Sequence, residues 1–443
     1  MVMLSKCFLP FIVAVIAIAQ TAPAKGTFDI DGQILQRTEL RQGYGALRKE
    51  DASPAFFIGQ RSRVNANYSA DRVDLKMSGQ DIRIWGSTSQ MKTSDNLFSI
   101  HEAWGRFRML EHFYIKAGRQ ELAYDEHRFL GNVDWALQAR AHDILLLQYE
   151  RSPFSVHGGF AFNQERPGLT GHYYDRPAQY KTAQFFWSNY SDNSFDVSTL
   201  FWNEGLQYIK EQPDGTFSED INFVQTFGLT NLEYSAGHFL FRTFYHHQTG
   251  KDTTGHEVNA YNTGTNVNAT FPVSEDHNLS ITAGFEILSG QSQIENEETS
   301  HAFTPKYGTN HRFNGFMDYF YVGGRHLNSV GLQDYSLRIK YEFNEGAFVG
   351  INGHYFMADA GIADEETPEP DALMDDYLGT EVDLTAGMVL FGPLSLQAGY
   401  SQMFGSSSLE ALHNGNHKKL NHWGYIALHY RPGMDAPFTG LKF

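Results

Sequence analysis

The sequence predicts an all-β protein, a transmembrane antiparallel β-barrel of about 18 strands that forms a single domain. Segments of about ten residues alternate between apolar and polar side chains through most of the chain, and clusters of Gly, Asn and Pro separate these segments. Aromatic residues make up 14% of the chain and gather near the segment ends, where a barrel carries its interfacial girdles.

Residues 1–24 are predicted to be a secretory signal peptide. Lys6 precedes an apolar stretch from Phe8 to Ala19, and Ala22-Pro23-Ala24 forms a small-residue cleavage site. The apolar stretch is too short to span a bilayer as a helix, which needs about 20 residues. An uncleaved N-terminal anchor is the alternative. Residues 25–443 are expected to form the barrel.

The alternation places charged and amide side chains on one face of each segment. Arg61 and Arg63 alternate with Val64 and other apolar residues in one of the early segments. A soluble sandwich would bury the apolar face, whereas a transmembrane barrel turns it to lipid and turns its polar face to water. Serial charges on the polar face favour the barrel, and closure leaves no unpaired strand edge in the membrane. The segment from Asn421 to Tyr430 is predicted to close it.

The charges are unevenly distributed along a chain whose formal net charge is −17. The first 140 residues contain 12 Arg and 6 Lys against 15 Asp and Glu, and the remainder is strongly acidic. The first third is therefore predicted to form an electropositive lumen wall, because guanidinium groups bind carboxylates in a forked geometry. The alternative is that these arginines pair with nearby carboxylates and only stabilise a polar interior. The candidate path residues are Arg61, Arg63, Arg83 and Arg106.

The densest cluster of charges lies between Gly118 and Glu150. It contains too many charged side chains to face lipid, so it is predicted to line the lumen or a constriction, with its charges paired to one another. The candidate pairing residues here and just upstream are Glu102, Glu121, Asp125, Asp134 and Asp143.

This cluster resembles the alginate export family of outer-membrane proteins. The matching positions are Gly118-Arg119-Gln120, Tyr124-Asp125, Arg128, Gly131, Asp134-Trp135, Gln138, Arg140 and Asp143. Two further stretches, at 101–104 and 313–320, look similar to the same family. The resemblance implies an 18-stranded barrel that exports a polyuronate through an arginine-rich constriction. Arg119, Arg128 and Arg140 would belong to that electropositive path.

The sequence thus predicts a channel in the outer membrane of a Gram-negative bacterium for anionic saccharides, with an alginate-like polyuronate as the main candidate. A general porin for small solutes is the first alternative, and a barrel enzyme or adhesin is the second. No cofactor, metal site or catalytic residue is expected, since hydrolase, zinc and phosphate-loop motifs are missing.

The expected partners are outer-membrane lipid and lipopolysaccharide, an anionic saccharide or small anionic solute, and the barrel-assembly machinery. Nucleic acid is excluded as a partner, because the chain is acidic and has no Lys/Arg cluster. Residues 358–376 contain eight Asp and Glu and are predicted to form a long extracellular loop. This loop either binds divalent cations at the lipopolysaccharide surface or is simply a solvated charged segment.

Overall fold

The computed structural model describes residues 25–432, except for 93, 95, 173, 175, 177–178, 212–216, 254, 296–297, 323–328, 344–345 and 368–370. The predicted signal peptide and the last residues of the chain lie outside this part. The strands are β1 (Thr27–Gln42), β2 (Ala55–Ala70), β3 (Val73–Ile84), β4 (Phe98–Leu110), β5 (Phe113–Gln120), β6 (His142–Arg151), β7 (Phe154–Phe162), β8 (Thr182–Ser191), β9 (Phe195–Glu211), β10 (Phe217–Ala236), β11 (Phe239–Lys251), β12 (Glu257–Ser274), β13 (His277–Leu288), β14 (Thr299–Ser300), β15 (Leu332–Phe343), β16 (Ala347–Met357), β17 (Tyr377–Phe391), β18 (Leu394–Gly405) and β19 (Asn421–Tyr430).

These strands form one closed antiparallel barrel. Each long strand pairs with its neighbours in the chain, and β13 pairs directly with β15 because the two-residue β14 lies beside β12 instead. The sheet closes since β1 pairs with both β2 and β19. With β14 set aside, 18 of the 19 strands make the barrel. The predicted fold is confirmed, and β19 has the bounds predicted for the closing strand.

Short turns close one end of the barrel and long loops extend from the other. Two residues separate β2 from β3, and two separate β17 from β18, whereas the loops at 121–141, 289–331 and 358–376 are much longer. Outer-membrane barrels carry short turns on the periplasmic side and long loops outside. The end that begins with Thr27 is therefore the periplasmic end.

The outer face of the barrel is apolar. In β6, exposed Leu145 and Leu147 alternate with buried Ile144 and Leu146, as the two-residue period of a strand requires. Exposed Phe, Leu, Ile and Tyr side chains recur on most of the other strands. This surface contacts the hydrocarbon of the membrane, where closure of the barrel satisfies the backbone amides.

Two long loops fold into the barrel and fill its centre. We call residues 121–141 loop A and residues 301–322 loop B. The Gly131 amide donates to Tyr307 O over 2.8 Å, and the Thr309 amide donates to His127 O over 2.9 Å. Because the two loops are hydrogen-bonded to each other inside the sheet, they divide the lumen.

One side of the lumen is a packed aromatic core. Trp202 on β9 has none of its surface exposed, and its ring lies 5.3 Å from that of Tyr307 and 5.7 Å from that of Phe185, measured between centroids. The ring of Phe129 in loop A also packs against Trp202, with 6.3 Å between the ring centroids. The expectation of a wet interior is therefore wrong for this side, because the inner residues of β6, β8 and β9 are largely apolar and both loops cover them.

Helical structure in the described residues is minor. Helix α1 (Ser407–His413) lies in the loop between β18 and β19, and its first turn is capped by Ser406, whose hydroxyl accepts from the Leu409 amide over 3.2 Å. A single 3₁₀ turn, Asn310–Arg312, lies in loop B. Within the described part of the chain, no helix is both long enough and apolar enough to cross a membrane.

Candidate functional site

Arg61 and Arg63 face the lumen, as the alternation predicts, and both hold loop A. The fully buried Arg61 donates from Nη1 to the backbone oxygens of Asp134, Ala136 and Leu137 at 3.2–3.3 Å. Its Nη2 lies 2.9 Å from Asp134 Oδ1, and Arg63 Nη1 lies 3.7 Å from the same oxygen. These two guanidinium groups are covered by loop A and act as its anchor on β2.

Arg119 and Asp143 form an ion pair on the outer face of the barrel. Arg119 Nη1 lies 3.0 Å from Asp143 Oδ2, and the two residues are register partners on β5 and β6. Asp143 alternates with inward-facing Ile144 and therefore shares its face with exposed Leu145. The pair lies at the loop end of these strands and does not face the lumen.

Arg83 also faces outward. Its neighbour Ile82 is the register partner of inward-facing Arg61, so the side chain of Arg83 points to the opposite side of the sheet. Arg83 Nε donates to Asp81 Oδ1 over 2.6 Å. The ion pair lies near the end of β3, beside the extracellular loops.

Arg106 lies on the inner wall of β4. It contacts the carboxylate of Glu150, donates from Nε to Gln148 over 3.1 Å, and places its guanidinium carbon 3.8 Å from the ring centroid of Tyr114. Arg106 is thus a lumen residue whose charge is largely paired.

Glu102 and Glu121 meet above Arg106, where His101 completes a possible set of metal ligands within 4.8 Å of one another. His101 Nε2 lies 2.7 Å from Glu121 Oε1, and Asn132 donates to Glu121 Oε2 over 2.9 Å. The Glu102 carboxylate forms an ion pair with the Lys76 ammonium. Since these oxygens already have partners, the cluster is a polar contact between loop A and the wall.

Arg128 lies where loop A, loop B and the wall meet. Its side chain is 3% exposed and forms an ion pair with Glu286 on β13. It also donates to the side-chain oxygens of Asn310 at 3.2 Å and Asn314 at 3.1 Å. Asn314 in turn donates to Asp334 over 3.3 Å. This network joins three elements of distant sequence into one constriction.

Two other predicted residues lie inside the loops. Arg140 donates from Nη1 to Gly308 O over 3.2 Å, and burial lowers the pKa of its guanidinium. Asp125 accepts a hydrogen bond from Trp187 Nε1 over 3.1 Å, and burial raises the pKa of its carboxyl group. Both residues link loop segments to each other or to the wall.

A cavity of about 680 Å³ lies on the other side of the lumen, below the two loops. Its wall comes from β10–β13, β15 and β16, and its roof is built from Glu126, Arg128, Arg312 and Phe313. Hydroxyl and amide side chains line the part nearest the periplasmic turns, among them Asn268, Thr270, Ser280 and Thr282. Most of the side chains that line the cavity are polar or charged.

Four further cations line this cavity, namely Arg242, Arg312, Arg338 and Lys340. Glu126 bridges Arg242 at 3.2 Å and Arg312 at 2.9 Å, and Lys340 Nζ lies 2.6 Å from Glu342. Arg338 Nη2 donates to Phe313 O over 3.1 Å. Charge counting missed these residues because they lie in the acidic two-thirds of the chain. The alternation of Arg338 and Lys340 along β15 was the signal that could have located them.

No protein-family model and no curated protein sequence matches this chain. Solved structures do match. Pseudomonas aeruginosa OpdK with vanillate aligns with a TM-score of 0.55 and 11% identity over 91% of this chain and 98% of OpdK. OccK9 (OpdG) of the same organism aligns with a TM-score of 0.55 and 13% identity over 91% of this chain and 98% of OccK9. OccD3 (OpdP), also of that organism, aligns with a TM-score of 0.53 and 13% identity over 93% of this chain and 95% of OccD3.

These similarities concern the fold. They do not support the alginate export family in particular, which the motif at 118–143 resembles. The predicted outer-membrane location agrees with the structural neighbours, among them the outer-membrane protein OpdK. The chain shares the closed 18-stranded barrel of outer-membrane porins.

Proposed function

We propose that the protein is an outer-membrane channel of a Gram-negative bacterium that lets small solutes diffuse, with a preference for anions. The observation that carries this proposal is the cavity below the loops, which is lined by Arg242, Arg312, Arg338 and Lys340. Charged side chains that line a pore set its ion preference.

The size of the path favours small solutes over a polymer. Loops A and B are hydrogen-bonded to each other, and ion pairs hold loop A to β2 and β13, so the two loops occupy part of the barrel axis. A cavity of about 680 Å³ is in the range of sites that hold one small molecule. A single uronate sugar suits this space better than the polyuronate chain does.

The chemistry of the lining favours a carboxylate. Guanidinium groups donate two parallel hydrogen bonds to a carboxylate, and neighbouring hydroxyl and amide groups suit the polar remainder of a solute. One structural neighbour, OpdK, was solved with vanillate, which is a small aromatic carboxylate. A non-selective porin is the second candidate, because Arg242, Arg312 and Lys340 each have a carboxylate within 3.2 Å.

Replacing Arg242 and Lys340 together by glutamine is expected to shift the channel toward cations. A unit charge about 5 Å from a passing ion in water contributes about 0.8 kcal/mol, or roughly a fourfold change in local ion concentration. The Cl⁻/K⁺ permeability ratio, obtained from the reversal potential in a KCl gradient across a planar bilayer, should therefore fall by at least twofold.

Arg119→Gln is the matched control, since it removes one guanidinium from the outer face and should leave the permeability ratio unchanged. A wild-type channel that prefers K⁺ would contradict the anion preference. An unchanged ratio in the double variant would favour the non-selective porin.

A further inference from the structure

Two carboxyl groups on the inner wall of β17 are buried together beneath loop B. Glu381 and Asp383 are both 0% exposed, and they face the same side because they lie two residues apart on one strand. Each carboxyl group lies in the electrostatic field of the other. Glu381 Oε1 accepts a hydrogen bond from the Met317 amide over 2.9 Å, so the pair also holds loop B to the wall.

The other oxygens of this pair receive no hydrogen bond from any described residue. Glu381 Oε2 and both carboxylate oxygens of Asp383 are buried without a donor, and so is the hydroxyl of Thr385, the next inward residue on β17. Burying an unsatisfied acceptor is costly, and native proteins avoid it. Oxygen acceptors are the ligands that hard divalent cations take.

Charged side chains from β15, β16 and loop B lie around this pair. His354 Nδ1 lies 2.9 Å from Asp334 Oδ1, which leaves Nε2 facing Asp383 Oδ2 at 3.9 Å. Arg338 lies within electrostatic range of both Asp334 and Asp383. Asp318 adds another carboxylate near Glu381. Arg338 therefore faces carboxylates from both β15 and β17.

We propose that Glu381 and Asp383 bind a hard divalent cation, Ca²⁺ or Mg²⁺, inside the barrel wall. Its two positive charges balance the two carboxylates, and the unpartnered Thr385 hydroxyl is the next inward polar group on the same strand. Since Glu381 also accepts from Met317, the cation holds loop B in its inward position. The cluster of His101, Glu102 and Glu121 differs, because Lys76 and Asn132 already occupy its oxygens.

The test is thermal unfolding of the detergent-purified barrel, free of lipopolysaccharide, in EDTA and after addition of millimolar Ca²⁺ or Mg²⁺. One or both cations should raise the Tm of the wild type by at least about 3 °C. Glu381→Gln and Asp383→Asn should abolish that rise. Glu39→Gln should keep it, because Glu39 is equally buried but is paired with Arg37 and Arg41.

Asp364→Asn is a second control, which tests the exposed acidic loop, and it should also keep the rise. Tb³⁺ luminescence of the wild type tests the proposal even if the β17 variants do not fold. It should report one Tb³⁺ site, and Ca²⁺ should displace Tb³⁺ from that site. The proposal is overturned if neither cation shifts the Tm, if the shift persists in both β17 variants, or if no Tb³⁺ site is found. Insensitivity to EDTA together with a Tm that falls as pH rises would overturn it in favour of a carboxyl pair that shares a proton.

Discussion

Replacing Arg128 by alanine is expected to raise the single-channel conductance several-fold and to destabilise the barrel by about 3–5 kcal/mol. Arg128 forms a buried ion pair with Glu286 and bonds both Asn310 and Asn314 of loop B. Its removal leaves the Glu286 carboxylate buried without its cation, so the loops should separate from the wall. Planar-bilayer recording measures the conductance, and denaturant unfolding measures the free energy.

Arg108→Ala is the control for this variant, since Arg108 pairs with Asp71 at an exposed periplasmic turn. An exposed ion pair of this kind contributes about 0–1 kcal/mol. The control should therefore keep the wild-type conductance and stability. If Arg128→Ala kept the wild-type conductance and stability, as Arg108→Ala should, Arg128 would not hold the loops in a constriction.

Replacing Trp202 by alanine is expected to lower the free energy of unfolding by about 3–5 kcal/mol, because it opens a cavity in a packed core. Trp202 has no exposed surface and packs on Phe185, Phe129 and Tyr307 inside the barrel. Phe201→Leu, on the lipid face of the same strand, keeps an apolar side chain of similar size and should cost less than about 1.5 kcal/mol. Equilibrium unfolding from detergent micelles measures both values.

If the two substitutions had equally small effects, the β6–β9 side of the lumen would be open to water. The aromatic core would then contribute little to the fold. A large loss of unfolding free energy in Trp202→Ala but not in Phe201→Leu agrees with a lumen that is half filled by side chains.

The strands and their faces could be predicted because they depend on local alternation. Asn421–Tyr430 was located with its observed bounds, and Arg61 and Arg63 face inward as their neighbours require. Arg83 lies one residue past inward-facing Ile82, and continuing the parity of β3 to that position would have turned it outward. The face of β5 on which Arg119 lies is clearest from its pairing with Asp143 on β6, so predicting this face also required the partner strand.

The direction of the long loops could not be predicted from local pattern. Loop A folds inward because Arg61 reaches Asp134 and because Gly131 meets Tyr307 of loop B, and these contacts join distant parts of the chain. The same limit applies to the cavity, where Arg242 and Arg312 meet at Glu126. A charge count along the sequence detects segments with an excess of one charge. It misses arginines and lysines in segments that also contain many Asp and Glu residues.

The most direct test of the central claim, that loops A and B narrow this barrel to a path for small solutes, is exclusion of neutral polymers from the open channel. Polyethylene glycols that enter a pore lower its conductance, so a graded series measures the width of the path. We predict that only polymers no larger than about a disaccharide lower the conductance. Entry of polymers of several kilodaltons from both sides would contradict the account, because it requires an open lumen of full barrel width.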